Sequence, residues 1–308
     1  SKMLKINTPL VFFVMRRPQA TKKVIKILER FKFKKIYVVC DGWRNEEEKH
    51  DVLIVRKIIE NSFKNQKVEK IFYKKNIGLR HIAPNAFKKI FKKEKKIIVI
   101  EDDTLPDPTF FNFADQLLIK YKNNKKISMI SGVNFNSKIT ENLRDDYFYS
   151  KYSFLWGWAT WRDRWKIYDN KLKKWNQYKK SERFKKEFPN IGEYRFWKKE
   201  LNYLKKNLDK GAWDFPLSFA NYYYKRYSIV PKKNLVKNIG VNDDPTGINP
   251  KKTSDLKKFS ISINLNHPKK LERNLKYDNY CSLNHYSLGN IKVRIKNKIL
   301  KYIKKLSA

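Results

Sequence analysis

The sequence predicts an α/β fold, in which a mostly parallel sheet is flanked by helices, and two observations over residues 5–135 point to it. Unbroken apolar runs of strand length, such as PLVFFVM (Pro9–Met15), alternate with stretches whose apolar residues recur at helical spacing. Apolar runs without polar alternation are typical of parallel strands that helices cover on both faces. We therefore expect a sheet of βαβ units in this half of the chain.

The predicted elements follow one another along the chain. They are strand Pro9–Met15, helix Thr21–Phe31, strand Lys35–Asp41, helix Glu47–Ser62, strand Val68–Lys75, helix Ala83–Lys93, strand Lys96–Asp103 and strand Lys126–Gly132. From Tyr147 the sequence is rich in Trp, Tyr and Phe, and Lys-rich helical segments continue to about Lys210. A strand-like and then turn-rich segment follows at Tyr227–Gly240. No repeat or low-complexity linker separates the two halves, so we expect them to form one unit.

The chain is strongly basic, with 71 Lys and Arg against 30 Asp and Glu and a formal charge of +41. An aromatic content of 15% argues against a disordered chain. The charge favours polyanionic partners, and DNA, RNA, anionic lipid and nucleotide phosphates all satisfy it. A nucleic-acid-binding protein is therefore the non-enzymatic alternative. The lysines are scattered over every helical segment without a recognisable binding motif, so nucleic acid is not an expected partner.

Cysteine spacing and hydropathy bear on the compartment. Cys40 and Cys281 lie far apart without metal-ligand spacing, which fits a reducing compartment. No apolar stretch approaches the length needed to span a bilayer, so we expect a cytoplasmic protein. The final segment, GNIKVRIKNKILKYIKKLSA, places apolar residues at helical spacing among Lys and Arg. It predicts either attachment to an anionic membrane at its inner face or a helix packed on the domain.

Three consecutive carboxylates, Glu101, Asp102 and Asp103, end a predicted strand in a chain where acid is scarce. Ligands of open α/β sheets bind at the carboxyl ends of the strands. Like charges this close repel one another, and carboxylates with water and substrate phosphates are the usual surroundings of Mg²⁺ or Mn²⁺. We interpret the triplet as a site for a divalent cation; the alternative is a solvated turn ahead of Pro106.

The other predicted strand ends bring polar residues to the same edge of the sheet. Arg17 follows the first strand, Asp41 ends the second, and Asn76 and Arg80 follow the third. Arginines there suit phosphates, and Asp41 suits a nucleobase or a ribose. Each residue alone is explained as well by a turn or a helix start, and only the shared edge indicates a site.

Taken in order, these segments resemble the GT-A fold glycosyltransferases. KKIIVIEDDTLPDPTFFNFADQLL is similar to the metal-binding segment of the N-acetylglucosaminyltransferase I type, where a strand ends in EDD and continues to P-x-F-F. VVCDG and NIGLRH precede it, and SGVNF, LWGWATW and WDFP follow, as in small bacterial sugar-nucleotide transferases. The resemblance covers about residues 5–250. It implies a GT-A domain at 1–265, with a nucleotide-sugar-binding half at 1–135 and an acceptor-binding half at 136–265, before a basic extension at 266–308.

The resemblance also implies roles for single residues. Asp103 would hold a Mn²⁺ or Mg²⁺ ion that bridges the donor diphosphate. The residues implied in donor binding are Arg17, Asp41, Asn76, Arg80, Glu101 and Asp102. Those implied in contacts with a sugar or the acceptor are Trp156, Gly157, Trp158 and Trp213. Of Trp156, Trp158 and Trp161 we expect at least one in plain aromatic core.

Asp214, in GAWDFP, matches the position of the family's catalytic base, which takes the proton of the acceptor hydroxyl. The family segment reads WDD, whereas Phe215 follows Asp214 here, so the correspondence is loose by one residue. An ordinary Asp at a helix start fits the local sequence equally well. The four histidines show no metal-ligand spacing, and whether one of them completes the metal site is left open.

The implied function is an inverting, metal-dependent transfer of a hexosyl or N-acetylhexosaminyl group. The expected donor is a nucleoside diphosphate sugar, with a UDP-sugar favoured, and the expected acceptor is a hydroxyl of a glycan or a lipid-linked molecule. A sugar nucleotidyltransferase is the alternative enzyme. Those enzymes begin with a Gly-rich loop after the first strand, and VMRRPQAT has no glycine there.

Overall fold

A computed structural model describes residues 3–240 and 256–286 of the chain. The strands are β1 (Leu4–Ile6), β2 (Leu10–Val14), β3 (Phe31–Phe33), β4 (Ile36–Cys40), β5 (Val68–Phe72), β6 (Lys96–Glu101), β7 (Thr104–Pro106), β8 (Ile127–Ser131), β9 (Tyr147–Ser150), β10 (Trp158–Trp161), β11 (Tyr227–Pro231) and β12 (Val236–Asn238). The helices are α1 (Pro18–Leu28), α2 (Glu46–Glu60), α3 (Ile82–Ile90), α4 (Thr109–Lys120), α5 (Ser137–Thr140), α6 (Arg162–Trp165), α7 (Trp175–Tyr178), α8 (Glu182–Glu187), α9 (Ile191–Lys206), α10 (Asp214–Tyr223) and α11 (Leu275–Cys281), followed by a π-helical turn at Ser282–Tyr286.

In the described part of the chain, eight strands form one mixed sheet in the order β5-β4-β2-β6-β10-β8-β11-β9. β5, β4, β2 and β6 pair in parallel. β10 is antiparallel to both of its neighbours, β11 is parallel to β8, and β9 closes the edge antiparallel to β11. The predicted α/β class with a mostly parallel sheet is confirmed.

The apolar runs of the central strands serve two cores at once. In β2, Leu10 and Phe12 pack with α1, α2 and α4 on one face of the sheet, while Val11 packs on the other face with Phe87 of α3. Adjacent side chains of a strand point to opposite faces, so a strand buried on both faces has no polar position. This explains the unbroken runs, and the ends of all five predicted strands lie within three residues of the observed ones.

The antiparallel strand β10 was not predicted. It comes from the aromatic block LWGWATW and lies between β6 and β8, with Trp158 opposite Val99 on one side and Ser131 on the other. Trp158, Ala159, Thr160 and Trp161 are therefore all buried. Strands from both predicted halves of the chain thus belong to one sheet.

A small antiparallel ribbon lies just beyond the acidic triplet. β7 follows Asp103 directly and pairs with β12, so that Asn238 faces Thr104. The backbone N–H of Ile239 donates to the carbonyl of Asp103 at 2.7 Å. A Cβ built on Gly240 would lie 2.6 Å from the Cβ of Asp103, so only glycine allows this approach. The late segment thereby packs against the last carboxylate of the triplet.

Within the described residues, none of the helices has both the length and the apolarity that a bilayer crossing requires. The amphipathic helix predicted near the end of the chain lies outside the described residues. Cys40 and Cys281 are both buried and unbridged.

Candidate functional site

The carboxyl ends of β2, β4 and β6 surround a cavity of about 260 Å³, which we call the basic cavity. Its lining includes Arg16, Arg17, Asp41, Arg44, Asn76 and the acidic triplet. Six of the seven residues predicted for donor or metal binding therefore meet in one place, as the shared strand edge predicted. They meet because the carboxyl ends of parallel strands lie at the same edge of a sheet, so the residues that follow these strands lie close together.

A second cavity of about 560 Å³, which we call the aromatic cavity, adjoins the first. Its lining includes Phe135, Trp156, Phe196, Asp214, Phe215 and Tyr286. Leu79, Glu101 and Trp213 line both cavities, so these three residues form the junction between them. The two volumes together offer neighbouring places for two ligands.

The three carboxylates of the triplet have different surroundings. Asp102 is 3% exposed and accepts hydrogen bonds from the backbone N–H of Met15 at 2.9 Å and from Arg17 Nη1 at 3.2 Å. It therefore ties the end of β2 to the end of β6 and orients Arg17. Two of its about four acceptor positions are occupied in this way, and the side chain is almost fully buried, which makes Asp102 foremost a positioning residue.

Asp103 is the carboxylate best placed to take an external cation. Its Oδ1 is buried without a hydrogen-bond partner among the described residues, and its Oδ2 lies 3.5 Å from Arg17 Nη1. Burial raises the pKa of Asp103, and the charge of Arg17 opposes that rise. Burial and the charges of Asp103 and Asp102 also raise the pKa of Glu101. Crowded, desolvated carboxylates of this kind gain from a bound cation.

The donor set fits a divalent ion that is shared with a substrate. In the described parts of the chain, no three side chains of His, Cys, Asp or Glu converge as metal ligands. Mg²⁺ and similar ions are commonly held by one or two carboxylates together with water and substrate phosphates, and the unpaired Asp103 Oδ1 meets that requirement.

Asp41 holds together the two loops that follow β4 and β5. Its Oδ1 accepts from the backbone N–H groups of Gly42 at 2.8 Å and Ile77 at 2.9 Å, and its Oδ2 accepts from Gly78 at 3.0 Å. A Cβ on Gly42 would lie 2.3 Å from the carbonyl carbon of Lys75, so glycine is required for the loops to approach. Asp41 keeps one further acceptor position towards the cavity.

Two arginines of the basic cavity were missed by sequence reasoning. Arg44 Nε donates to Glu48 Oε1 at 2.8 Å, and Arg16 Nε lies 3.4 Å from the same oxygen. Hydrogen bonds from Arg44 lower the pKa of Glu48, which keeps this buried carboxylate ionised between the two guanidinium groups. Arg16 lies two residues after the end of β2 and Arg44 four residues after the end of β4, so their positions after strand ends were the available signal.

Arg80 is a correction to the predicted donor site. It is 1% exposed and is absent from the lining of the basic cavity. Its Nε donates to Asn170 Oδ1 at 2.5 Å and its Nη2 to the Asn170 carbonyl at 2.8 Å. Its guanidinium thus fastens the start of α3 to the loop around residue 170, and we withdraw it as a donor contact.

The predicted sugar contacts divide into two groups. Trp156 and Trp213 line the aromatic cavity. Trp158 is 1% exposed and packs on Trp213, with ring centroids 5.8 Å apart, while Gly157 packs against Val236. Trp158 and Gly157 line neither cavity and are withdrawn as sugar contacts, because their segment enters the central sheet as β10.

Asp214 begins α10 in the wall of the aromatic cavity. Its Oδ1 is buried without a hydrogen-bond partner among the described residues. Burial raises the pKa of Asp214 to about 6, against hydrogen bonds from the backbone N–H groups of Asp214 and Phe215 that favour the charged form. One oxygen of the carboxylate is thus without a partner among the described residues, and the group is more basic than usual, as a proton acceptor requires.

The histidines fall in separate places. His81 lies 3.2 Å from the exposed Asp209, and His267 Nδ1 lies 2.9 Å from the hydroxyl of Tyr147. Neither lines the basic cavity or the aromatic cavity, so neither is placed to complete the metal site. His285 lines the aromatic cavity beside Phe135, with ring centroids 4.5 Å apart, and had not been predicted there.

Comparison with known proteins gives weak similarities. No protein-family model matches the chain, and a search of curated proteins finds no match. Similar solved structures include a mannosyltransferase from Pyrobaculum calidifontis in complex with GDP-Man and Mn²⁺, at 10% identity and a TM-score of 0.38 over 53% of this chain and 46% of that chain. This chain therefore spans less than half of that protein.

Two further similar structures are a UDP-glucose pyrophosphorylase complexed with UDP-glucose and the galactosyltransferase LgtC in complex with donor and acceptor sugar analogs. The first has 12% identity and a TM-score of 0.33 over 53% of this chain and 79% of that chain. The second has 11% identity and a TM-score of 0.32 over 70% of both chains. At these scores no function follows from the similarity.

Proposed function

We propose that the protein is an inverting GT-A glycosyltransferase, which moves a sugar from a nucleoside diphosphate donor to a hydroxyl of a glycan or lipid-linked acceptor. The observation that carries the proposal is the junction of the two cavities. Asp103 lines only the basic cavity and Asp214 only the aromatic cavity, while Glu101 and Trp213 line both. The ordered motifs from VVCDG to WDFP add support from the sequence.

The basic cavity suits the nucleotide part of the donor. Arg16, Arg17 and Arg44 line it, and guanidinium groups bind phosphate oxygens through paired hydrogen bonds. Asp103 would hold Mn²⁺ or Mg²⁺, which supplies neutralisation of the charge on the leaving diphosphate when bound. The loops tied by Asp41 form the remaining wall, where the base would lie; a UDP-sugar is our first choice of donor.

The aromatic cavity suits the acceptor. With the donor sugar at the junction, an acceptor hydroxyl beside Asp214 would transfer its proton to the carboxylate as its oxygen bonds to the anomeric carbon. The bond from that carbon to the diphosphate oxygen breaks, and the nucleoside diphosphate leaves on the side of the basic cavity. Attack from the side opposite the leaving group inverts the anomeric configuration, as in inverting glycosidases.

A sugar nucleotidyltransferase is the second candidate considered. The loop between β2 and α1 contains no glycine, and α1 begins at Pro18, which has no backbone N–H to offer a phosphate. The second cavity, which has an unpartnered carboxylate oxygen and no Lys or Arg among its described lining residues, also suits an acceptor hydroxyl better than the sugar phosphate that a nucleotidyltransferase takes. Peripheral attachment to a membrane, predicted from the end of the chain, stays a prediction.

Calorimetry with UDP, GDP and CMP, each with and without Mn²⁺, tests the proposal on the wild type and on Asp103→Ala. We expect one nucleotide to bind in a metal-dependent manner and Asp103→Ala to weaken that binding by at least about tenfold, or about 1.4 kcal/mol. Asp51→Ala, an exposed position on α2, is the matched control and should bind like the wild type. If no nucleotide binds under any metal condition, the proposal fails.

A further inference from the structure

The aromatic cavity differs in charge from the rest of this chain. Lys and Arg make up 71 of the 308 residues, yet none of the described residues that line the cavity is Lys or Arg. Three arginines line the adjoining basic cavity. Of the two cavities, which share a wall, the basic cavity therefore has guanidinium groups that can bind phosphate, and the described lining of the aromatic cavity has none.

Aromatic side chains make up almost half of the cavity lining, eight of the seventeen residues. Phe135, Trp156 and Phe196 are among them, and Trp156 and Phe196 are only partly buried. A saccharide ring offers apolar C–H faces and a rim of hydroxyl groups. Aromatic faces bury the former, and a few polar groups such as Ser153, Ser218 and Asp214 meet the latter.

An anionic group would be poorly accommodated in the same volume. Burying a phosphate or carboxylate without a cation loses its hydration without compensation. The unpaired Asp214 carboxylate would repel it as well. A volume of about 560 Å³ is large enough for a small-molecule ligand, so size does not account for the exclusion.

We propose that the aromatic cavity takes an uncharged saccharide as the acceptor, and that acceptors with a phosphate or carboxylate on the sugar that enters the cavity are rejected. This rests on the proposed function and narrows its acceptor. A lipid-linked acceptor fits when its phosphates stay outside the cavity, which requires at least one neutral sugar between the phosphates and the reacting hydroxyl.

Saturation-transfer NMR with the full chain, UDP and Mn²⁺ tests the proposal at about 0.15 M salt. The probes are neutral methyl glycosides, each paired with the methyl glycoside of the corresponding uronic acid, which carries a free carboxylate. Hexose 6-phosphates are included as well, and all probes are used in the gluco, galacto and manno configurations. We expect the best-bound configuration to bind as the neutral glycoside, with its uronide and phosphate at least tenfold weaker. The overall charge of +41 favours anions everywhere else, so a preference for neutral sugars is specific to the cavity.

A positive charge introduced into the aromatic cavity tests whether the lack of Lys and Arg in its lining causes the preference for neutral sugars. Trp156→Lys should weaken binding of the neutral glycoside and narrow its advantage over the uronide. Tyr203→Lys adds the same charge on the exposed face of α9, outside both cavities, and should change neither. Equal or tighter binding of the anionic partner to the wild type overturns the inference, as does failure of every neutral glycoside to bind.

The nucleotide titration keeps this inference apart from the proposed function. If a nucleotide binds and the anionic sugars are preferred, only the neutral acceptor is wrong. If no nucleotide binds, the glycosyltransferase proposal is wrong, whereas the sugar preference of the cavity is still measured by the same spectra.

Discussion

Replacing Asp214 by Asn removes a buried charge and leaves the shape of the side chain unchanged. If Asp214 is the base, Asp214→Asn should abolish sugar transfer and preserve nucleotide binding, because Asp214 does not line the basic cavity. The same change should stabilise the folded protein above neutral pH. An unpaired carboxylate kept in a partly desolvated site costs free energy, and the amide does not carry that charge.

The size of the stabilisation follows from the pKa. A rise in the pKa of Asp214 from 3.8 to about 6 corresponds to roughly 3 kcal/mol between the neutral and charged forms. Since the side chain is only partly buried, solvent reduces this to about 1–2 kcal/mol. For a protein of this size each kcal/mol shifts the melting temperature by about 2–4 °C.

The pH dependence gives the sign of the effect. Between pH 3.8 and about 6 the Asp214 carboxyl is protonated in the folded protein and ionised in the unfolded chain. This group therefore stabilises the fold at low pH. That contribution is lost as the pH rises through 6. The difference in stability between Asp214→Asn and the wild type should therefore be smallest near pH 4 and reach its plateau above pH 7.

Thermal unfolding followed by circular dichroism from pH 4 to 8 measures this difference. Asp51→Asn is the matched control, because Asp51 is exposed on α2 and lines neither cavity, so the same change there should produce no such trend. A variant that is less stable than the wild type at pH 8, or a difference that does not change with pH, would refute the reasoning. Retained turnover in Asp214→Asn would move the catalytic role to another residue.

Two further changes test the corrected site. Arg80→Met should lower the free energy of unfolding by about 2–4 kcal/mol, because Asn170 loses a buried charged partner. The Kd for nucleotide, measured by calorimetry on the folded variant, should stay within about twofold of the wild-type value. A large loss of affinity would return Arg80 to the donor site. Gly42→Ala should weaken nucleotide binding by about tenfold or more, because its Cβ would displace the Lys75–Asn76 backbone. Gly192→Ala, on α9 and outside both cavities, is the control, and an equal loss of affinity there would contradict the role given to close approach.

Local pattern was enough to predict the parallel half of the sheet and one edge of the site. β2 is apolar at every position and β6 is apolar from Ile97 to Ile100, because both faces of the sheet are covered there. The residues that follow such runs are placed by the strands themselves. Arg17, Asp41 and Asp103 therefore fell where they were expected.

Contacts between residues distant in sequence could not be predicted from local sequence patterns. Arg80 finds its partners 90 and 130 residues away, so its local motif NIGLRH carried no sign of its burial. The resemblance placed Trp158 among the sugar contacts, but strand pairing with β6 and β8 buries it. Asp102 and Asp103 look alike in sequence, but the backbone N–H of Met15 ties Asp102 to the end of β2, while Gly240 packs against Asp103.

The position of β10 has a consequence for how the chain is made. Its residues are translated after those of β6 and β8, yet the strand inserts between them. Until residue 161 has left the ribosome, β6 and β8 lack the neighbour that joins them, and two apolar strand edges stay open to other chains. We therefore expect the nascent N-terminal half to depend on chaperones, and fragments that end before residue 158 to aggregate on expression.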